Sequence, residues 1–423
     1  MVMIFMKKVL FLAFFYNHNN EVASNRLQGI SKYLPKYGWQ PIIVAPKTSN
    51  PTVHIGNIEV IETDYEDMVS KFMPKSKGKE NKTEFSGNTP QNNLLSKAMS
   101  LAGEVFAYPD GMKYWYKPAV KEASKIIETE KIDGIISSSF PITAHKIAYT
   151  LKEKYGIPWI ADLRDLWNLN PYVNHTRIRN HFEKRLELKL FAKADALTTT
   201  TPLAKEKLST LHPDKKIVPI VSGFDMDDFK GLKQTETTDK LTLMYAGSLY
   251  NGKRDPSILF EAIQQLNDEK KIDLNKISIN FYGDSGNLEE LSEKYNIKPA
   301  VHVNGKISHE EVLQNQMNSD VLLLVSWMNE SETMFIPGKV YEYMGSKKPI
   351  YSIGYKEGSL KDLIEKTNVG YHVSNVGDAK KAIYDYYLKY NNNELKYSGN
   401  EFAEEYSMEN TAKNFAKLLE EIQ

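Results

Sequence analysis

A cation and a carboxylate stand three residues apart, shortly after a chain break that follows an apolar run. The run Val321–Val325 is typical of a buried strand, and Pro337 with Gly338 interrupts the chain after it. Lys339 and Glu342 then share one face of the first turns of a predicted helix. A helix start supplies free backbone N–H groups and a positive dipole end, and Gly338 lets a ligand approach closely. Lysine suits a phosphate and glutamate accepts hydrogen bonds from sugar hydroxyls, so the segment predicts a nucleotide-sugar pocket.

A second loop of the same kind follows a predicted strand that ends at Ala246. Gly247 and Gly252 permit close backbone approach, and Lys253 and Arg254 supply positive charge before a helix near residue 256. A guanidinium binds a diphosphate bidentately, which favours Arg254 of the two cations. The alternative is a solvated loop with two exposed cations, and the presence of the Lys339 segment argues against it.

Polar side chains also follow strands in the first half of the chain. His145 comes after a strand and lies inside the next helix, where it is either a structural histidine or a catalytic group. Asp165 stands beside Arg164, and the pair is either a salt bridge bracing the loop or an acceptor contact with Asp165 as the base. Asn25 and Arg26 follow the first strand and are predicted to border the donor phosphates or the acceptor.

Composition excludes several classes of function. The chain has 423 residues, with 54 Lys and Arg against 54 Asp and Glu, so nothing indicates attraction to nucleic acid. The absence of cysteine excludes disulfides, thiolate zinc sites and a cysteine nucleophile. The length suits two domains, each with its own core.

Short apolar runs alternate with amphipathic helical stretches over nearly the whole length, which predicts parallel, doubly wound α/β sheets in both halves. The predicted strands are Val9–Phe15, Pro41–Ala45, Asp133–Ser137, Ile157–Ala161, Ala196–Thr199, Ile217–Val221, Leu241–Ala246, Ile277–Tyr282, Val301–Val303, Val321–Val325, Pro349–Ile353 and Val369–Val373. The predicted helices are Ala23–Leu34, Lys117–Glu130, Thr143–Lys154, Arg177–Lys193, Ser257–Gln265, His309–Asn318, Gly358–Lys366 and Met408–Ile422.

Two segments depart from this pattern. Residues 74–93 are polar, rich in lysine and without periodicity, which predicts a mobile loop whose basic start is free to touch an anionic acceptor or a membrane. The apolar run after Lys7 and Lys8 is too short to cross a bilayer and lacks a small-residue cleavage site, so we interpret it as a first strand. We therefore expect a cytoplasmic protein, with a peripheral position at the inner face of the membrane left open.

In their order and spacing, these segments resemble the retaining glycosyltransferases of the GT-B fold, specifically glycosyltransferase family 4, over nearly the whole chain. Besides the loops at Gly247 and Gly338, the resemblance is carried by Ser24–Arg26, Tyr33–Trp39, the Asp-x-Arg-Asp-x-Trp segment within Ile160–Trp167, Ser222–Asp225 and the helix from Met408. It implies two Rossmann-like domains facing a cleft: an acceptor-side domain at residues 1–222 and a donor-binding domain at 223–407. Residues 408–423 would form a helix that crosses back to the N-terminal domain.

The resemblance also assigns donor residues. Arg254 falls where the family has a diphosphate cation, and Glu342 falls on the second glutamate of the Glu-x7-Glu motif, which binds the nucleotide ribose. The first glutamate of that motif is replaced by Met334, so Glu332 or a backbone group would contact the transferred sugar. Ser248 stands where many members have arginine, so Arg254 and Lys339 would share the diphosphate charge.

A metal-dependent alternative rests on Asp225 and Asp227, which match the Asp-x-Asp pair that holds a divalent ion in GT-A transferases. Acidic residues are equally common at a helix start, which we consider the better interpretation. The family resemblance implies no obligatory metal or cofactor, because side-chain cations and amides hold the donor diphosphate.

We therefore predict a hexosyltransferase of polysaccharide biosynthesis. It would move a sugar from a nucleotide diphosphate sugar to a hydroxyl of a glycan or lipid-linked acceptor, with retention of configuration. Two rivals stay open. One is a nucleotide-sugar epimerase of the same fold, and the other is a non-catalytic nucleotide-sugar-binding protein, which the replacement by Met334 makes plausible. A dinucleotide oxidoreductase is disfavoured because the first loop, residues 17–26, contains no glycine.

Overall fold

The chain divides into two compact units, one formed by Met1–Val221 with Thr411–Gln423 and the other by Ser222–Asn410. A computed structural model describes residues 6–18, 22–48, 58–66, 107–173, 175–235, 238–250, 252–284, 286–402 and 404–423. The predicted loop at 74–93 lies outside these residues. None of the helices in these ranges is long and apolar enough to span a bilayer.

The first unit contains a seven-stranded parallel sheet in the order β3-β2-β1-β4-β5-β6-β7. Strands β1 to β7 are Lys7–Leu12, Trp39–Pro46, Glu59–Thr63, Gly134–Ser139, Trp159–Leu163, Ala196–Thr199 and Ile217–Pro219. Helices α1 to α5 are Val22–Tyr33, Tyr116–Thr129, Thr143–Tyr155, Arg177–Phe191 and Pro202–Leu211, with short 3-10 turns at Leu34–Tyr37 and Lys113–Trp115. Strand order reverses between β1 and β4, so the carboxyl ends of these two strands flank the crevice where ligands bind in open α/β sheets.

The second unit contains a six-stranded parallel sheet in the order β10-β9-β8-β11-β12-β13. Strands β8 to β13 are Leu241–Gly247, Ile277–Gly283, Val301–Val303, Val321–Val325, Ile350–Ile353 and Gly370–Val373. Helices α6 to α11 are Ser257–Asp268, Leu288–Lys294, His309–Asn318, Lys339–Ser346, Ser359–Thr367 and Val376–Asn391. Short 3-10 turns lie at Met226–Phe229, Leu274–Lys276, Lys298–Ala300, Glu330–Glu332 and Gly399–Phe402.

Helix α12, Met408–Glu421, is the last element, and its residues from Thr411 onward pack within the first unit. Phe415 and Leu419 are fully buried there, and the Thr411 hydroxyl donates a 3.0 Å hydrogen bond to the carbonyl of Val221. A Cβ on Gly134 would lie 2.9 Å from a methyl of Leu419, so α12 packs closely against β4 at this point.

The predicted fold class is confirmed, since both units are parallel α/β sheets with helices between most successive strands. Strand β3 was not predicted because Glu59–Thr63 carries only two consecutive apolar residues and lies at the sheet edge, where charged residues are tolerated. Helices α5, α7 and α11 were not predicted either. The central strands could be predicted because both of their faces are buried, which makes their sequences continuously apolar. In β11, for example, all five residues are buried.

Candidate functional site

The predicted donor loops meet at the point where strand order reverses in the second sheet. Strands β8 and β11 are neighbours there, with Val321 beside Leu243 and Leu322 beside Met244. The loop after β8 carries Arg254, and the segment after β11 leads into α9 with Lys339. Because ligands bind beyond the carboxyl ends of strands at such a reversal, the topology brings both loops to one crevice of this unit.

Lys339 lies directly against the end of β8. A Cβ on Gly247 would collide with the lysine amine, and the φ of +139° at this position also favours glycine. The amine sits 4.8 Å from the ring centroid of Tyr245, a favourable cation–π distance. Among the described residues no carboxylate lies within ion-pair distance of the amine. Glycine at 247 therefore makes room for the lysine as well as for a ligand.

Arg254 approaches the same tyrosine from the other loop. One guanidinium nitrogen donates to the Ser248 carbonyl at 3.3 Å and lies 3.5 Å from the Tyr245 hydroxyl, while the group stacks over Tyr250 at 4.6 Å. Its Nε is buried and makes no hydrogen bond, and the described part of the chain offers the guanidinium no carboxylate. Lys253 is exposed and points over the Trp327 ring at 5.1 Å.

The two cations repel one another. Burial lowers the pKa of Lys339 to about 8, with the positive charge of Arg254 adding to the shift and Glu342 opposing it. Burial also raises the pKa of Tyr245, so the ring between the cations stays neutral. Two positive charges flank one neutral ring, and neither has an ion-pair partner among the described residues, so a bound anion would relieve their repulsion. The arrangement therefore suits a bound diphosphate.

Glu342 is held in a network that joins α8 and α9. One carboxylate oxygen pairs with His309 Nε2 at 2.9 Å, and the other accepts a hydrogen bond from the Gln316 amide. Gln316 is fully buried and accepts in turn from the Ser346 hydroxyl at 2.5 Å. A carboxylate has about four acceptor positions, so Glu342 can still receive hydroxyl groups while the network fixes its orientation.

The remaining predicted donor residues line the same crevice or the segment before α9. The Ser248 hydroxyl donates to Asp284 at 3.3 Å. The N–H groups of Val340 and Tyr341 bond to the carbonyls of Pro337 and Gly338, so fewer amides are free at this helix start than the sequence suggested.

Glu332 ends a short 3-10 turn and lines a cavity of about 10 Å³, room for roughly one water. Met334 is 5% exposed. At the position of the first motif glutamate, this unit thus buries an apolar side chain.

The catalytic role predicted for His145 does not fit its position. The side chain is fully buried, its Nδ1 lies 2.7 Å from the Ser137 hydroxyl, and its ring packs against Phe191. Burial lowers its pKa to about 3, so it is neutral at ordinary pH. His145 is a core residue of the first unit, as in the structural alternative weighed for it.

Arg26 also differs from its predicted surface role. Its side chain is 3% exposed, with one guanidinium nitrogen 3.3 Å from Asp162 and 3.0 Å from the Ile220 carbonyl. Burial alone would raise the pKa of Asp162, but the Arg26 charge and hydrogen bonds, including those from Thr198 and Ser138, outweigh it and lower the pKa. The pair joins α1 to β5, so Arg26 braces the carboxyl edge of the first sheet instead of facing a ligand.

Asn25, Arg164 and Asp165 remain accessible in the first unit. Asn25 is exposed on α1, next to the buried Arg26. The Asp165 side chain is 42% exposed and lies 3.9 Å from Arg164, a long contact that leaves both groups able to take another partner. Asp165 therefore stays a candidate for an acceptor contact.

The Asp225 carboxylate accepts a hydrogen bond from the Asp227 amide at 3.0 Å and caps the short 3-10 turn that follows. This position agrees with our interpretation of Asp225 and Asp227 as acidic residues at the start of a helical turn.

Sequence reasoning missed Tyr245, His309 and Gln316. In the sequence Tyr245 looks like an ordinary aromatic residue of a strand. Its sequence neighbours give no sign that Lys339 and Arg254 lie beside it in the folded unit. His309 and Gln316 stand seven apart on α8, which places them on one helix face and is the one local signal that they act together.

Comparison with known proteins gives a family match and a set of shared folds. Residues 240–388 match the family model described as "Glycosyl transferases group 1". No curated protein matches the chain in sequence.

Three solved structures show how far the fold is shared. Sucrose-phosphate synthase from Thermosynechococcus elongatus has a TM-score of 0.63 at 13% identity, over 98% of this chain and 99% of that chain. The lipopolysaccharide outer core galactosyltransferase WaaB has a TM-score of 0.55 at 13% identity, over 98% and 100%. A protein assigned as UDP-N-acetylglucosamine 2-epimerase from Listeria monocytogenes has a TM-score of 0.51 at 11% identity, over 97% and 95%.

At these identities the structures establish the fold alone, and that fold is GT-B. Together with the family match over the second unit, it supports glycosyl transfer as the class of activity.

Proposed function

We propose that the protein transfers a hexose from a nucleotide diphosphate sugar to a hydroxyl of a glycan or lipid-linked acceptor, with retention of configuration as in glycosyltransferase family 4. The observation that carries the proposal is the pair of cations Lys339 and Arg254 on either side of Tyr245, neither of which has an ion-pair partner among the described residues. A nucleotide diphosphate matches this pair in charge. Polysaccharide biosynthesis is the setting in which such a donor and acceptor meet.

In this proposal the two cations stabilise the charge that develops on the diphosphate as the sugar leaves. Glu342, oriented by His309 and Gln316, accepts hydrogen bonds from the ribose hydroxyls. Glu332 is the carboxylate nearest in sequence to the missing motif glutamate and is assigned to the transferred sugar. Asp165 is assigned to the acceptor side.

Calorimetry with nucleoside diphosphates tests the donor site. Arg254→Ala and Glu342→Ala should each weaken binding by about 1.5–3 kcal/mol, the scale of hydrogen bonds to charged groups. Lys276→Ala, which removes an exposed cation of the same unit, is the matched control and should bind as wild type does. Unchanged affinity in both site variants would remove the proposed site.

A second candidate is a protein that binds nucleotide sugars without transferring them, and the observation in its favour is the buried Met334. A transferase, an epimerase and a binding protein differ in what donor turnover requires. A transferase releases nucleoside diphosphate faster when acceptor extract is added, and the anomeric signal of its product reports retention. An epimerase turns over donor without acceptor, and a binding protein releases nothing under either condition.

A further inference from the structure

Exposed apolar side chains are concentrated on one segment of the first unit. Among the described residues, eleven large hydrophobic side chains are exposed, and four of them are Val173, Ile178, Phe182 and Leu188. Ile178 is 69% exposed and Phe182 is 53% exposed, the two highest values of the set. A single exposed leucine or valine is ordinary, but several exposed apolar side chains close together in the chain mark an interaction surface.

Ile178, Phe182 and Leu188 lie on α4, Arg177–Phe191, and Val173 lies four residues before the helix begins. Ile178 and Phe182 are four residues apart, and Arg185 and Lys189 continue the same row towards the carboxyl end of the helix. All four residues are exposed. The opposite face is buried through Glu183, Glu187, Leu190 and Phe191. The helix therefore presents an outward row that is apolar in its first half and basic in its second.

The charges of α4 are sorted between the two faces. Glu183 is 2% exposed and pairs with Arg179 at 2.7 Å and His175 at 3.0 Å. Glu187 is fully buried and lies 3.2 Å from His212. Both acidic residues of the helix are thus turned inward and already engaged.

Four cations of α4 stay exposed, and no exposed carboxylate accompanies them on the helix. Arg185 and Lys189 lie in the outward row, and Arg177 and Lys184 lie to one side of it. In a chain whose formal net charge is zero, this face is a local positive surface.

We propose that the outer face of α4 docks on anionic lipid headgroups at a membrane surface. A helix that combines outward apolar side chains with lysine and arginine lies in the interface, with its apolar row in the acyl boundary and its cations at the phosphates. Nucleic acid would complement the cations but leave Ile178 and Phe182 in water. The inference does not depend on the donor site, which lies in the other unit.

Vesicle co-sedimentation tests the proposal with the full chain. Wild type should bind vesicles of phosphatidylcholine mixed with phosphatidylglycerol, should bind pure phosphatidylcholine much more weakly, and should dissociate as salt is raised. Arg185→Glu with Lys189→Glu should lower the partition by roughly tenfold or more, since each cation near an anionic surface contributes to attraction. The matched control is Lys205→Glu with Lys207→Glu on α5, which makes a like charge change at exposed positions of a helix that has no exposed large apolar side chain.

The apolar row is tested separately. Ile178→Ser with Phe182→Ser should abolish binding to the mixed vesicles, whereas Leu388→Ser, at a 42% exposed position of the other unit, should not change it. Circular dichroism and nucleoside diphosphate binding identify any variant that misfolds. Arg185→Lys keeps the positive charge and should bind the mixed vesicles as wild type does.

Three results would overturn the proposal. One is equal binding to neutral and anionic vesicles, and another is no binding to either. The third is concentration-dependent self-association that the serine variants remove, since the occupant would then be a second copy of this chain.

Discussion

If Lys339 binds the donor as proposed, its amine should give nucleoside diphosphate binding a measurable pH dependence. Burial, helped by the nearby charge of Arg254, lowers the pKa of this lysine to about 8. An ordinary lysine would stay charged well above that pH, and an arginine stays charged throughout. The perturbation is therefore a change of pH from about 7 to about 9, applied to wild type and to Lys339→Arg.

The expected magnitude follows from the charged fraction. With a pKa of about 8, roughly nine-tenths of the free protein carries a charged Lys339 at pH 7 and roughly one-tenth at pH 9. A bound diphosphate favours the charged form and raises the lysine pKa, so the complex keeps its proton. The dissociation constant of a nucleoside diphosphate should then rise about tenfold over this interval, which is about 1.4 kcal/mol.

Isothermal titration calorimetry at several pH values measures the effect. Lys339→Arg should bind with little pH dependence, and Lys339→Met should bind weakly at every pH. Lys253→Arg is the matched control, because it changes the neighbouring exposed cation and should keep the wild-type slope. The same ligand is used throughout, so its own titration cancels when wild type and variants are compared.

Two results would refute this reasoning. A wild-type affinity that is flat across the interval would mean that the Lys339 amine does not contact the ligand or does not titrate there. An identical slope in Lys339→Arg would place the titrating group elsewhere in the protein.

Three further predictions concern other charged groups. The hydrogen bond to Glu342 and the charges of Glu342 and Asp228 raise the His309 pKa above 6.5, so its stabilising contribution is full below about pH 6.5 and is lost as pH rises through the folded value. The difference in urea stability between wild type and His309→Gln should therefore shrink from pH 6 towards pH 9. Asp162→Ala leaves the buried Arg26 charge unpaired and should cost about 3–5 kcal/mol in a urea titration, whereas a loss below about 1 kcal/mol would contradict a buried pair. Transfer should survive EDTA, and Asp227→Ala should keep most activity; complete loss that manganese restores would establish metal dependence.

Sequence alone located most of the helices and strands in the described residues. The bounds predicted for Ala196–Thr199, Val301–Val303, Val321–Val325 and the helix His309–Asn318 agree with the structure at every residue. Such agreement is possible because apolar periodicity is a local property, set by which neighbours in the same element are buried. Strand β3 was not predicted because an edge strand buries few of its side chains and therefore has no continuous apolar run.

Tertiary structure decided which side chains meet. Arg26 could have faced a ligand, but its partner is Asp162, 136 positions away, because α1 and β5 are neighbours only in the folded sheet. His145 follows a strand end as a catalytic residue would, yet the helix turns it towards Phe191 and away from water. The residues near Arg26 and His145 in the sequence do not indicate which partners these side chains have in the folded unit.

The same distinction holds for the proposed donor site of the second unit. The sequence determined that Lys339 and Arg254 follow strands β11 and β8, because the apolar runs before them show where each strand ends. Only the strand order placed those two ends side by side, with Tyr245 between the cations and with α8 beside Glu342. Strand order depends on contacts between residues far apart in the chain, and a side chain acquires its partners and its pKa from that order.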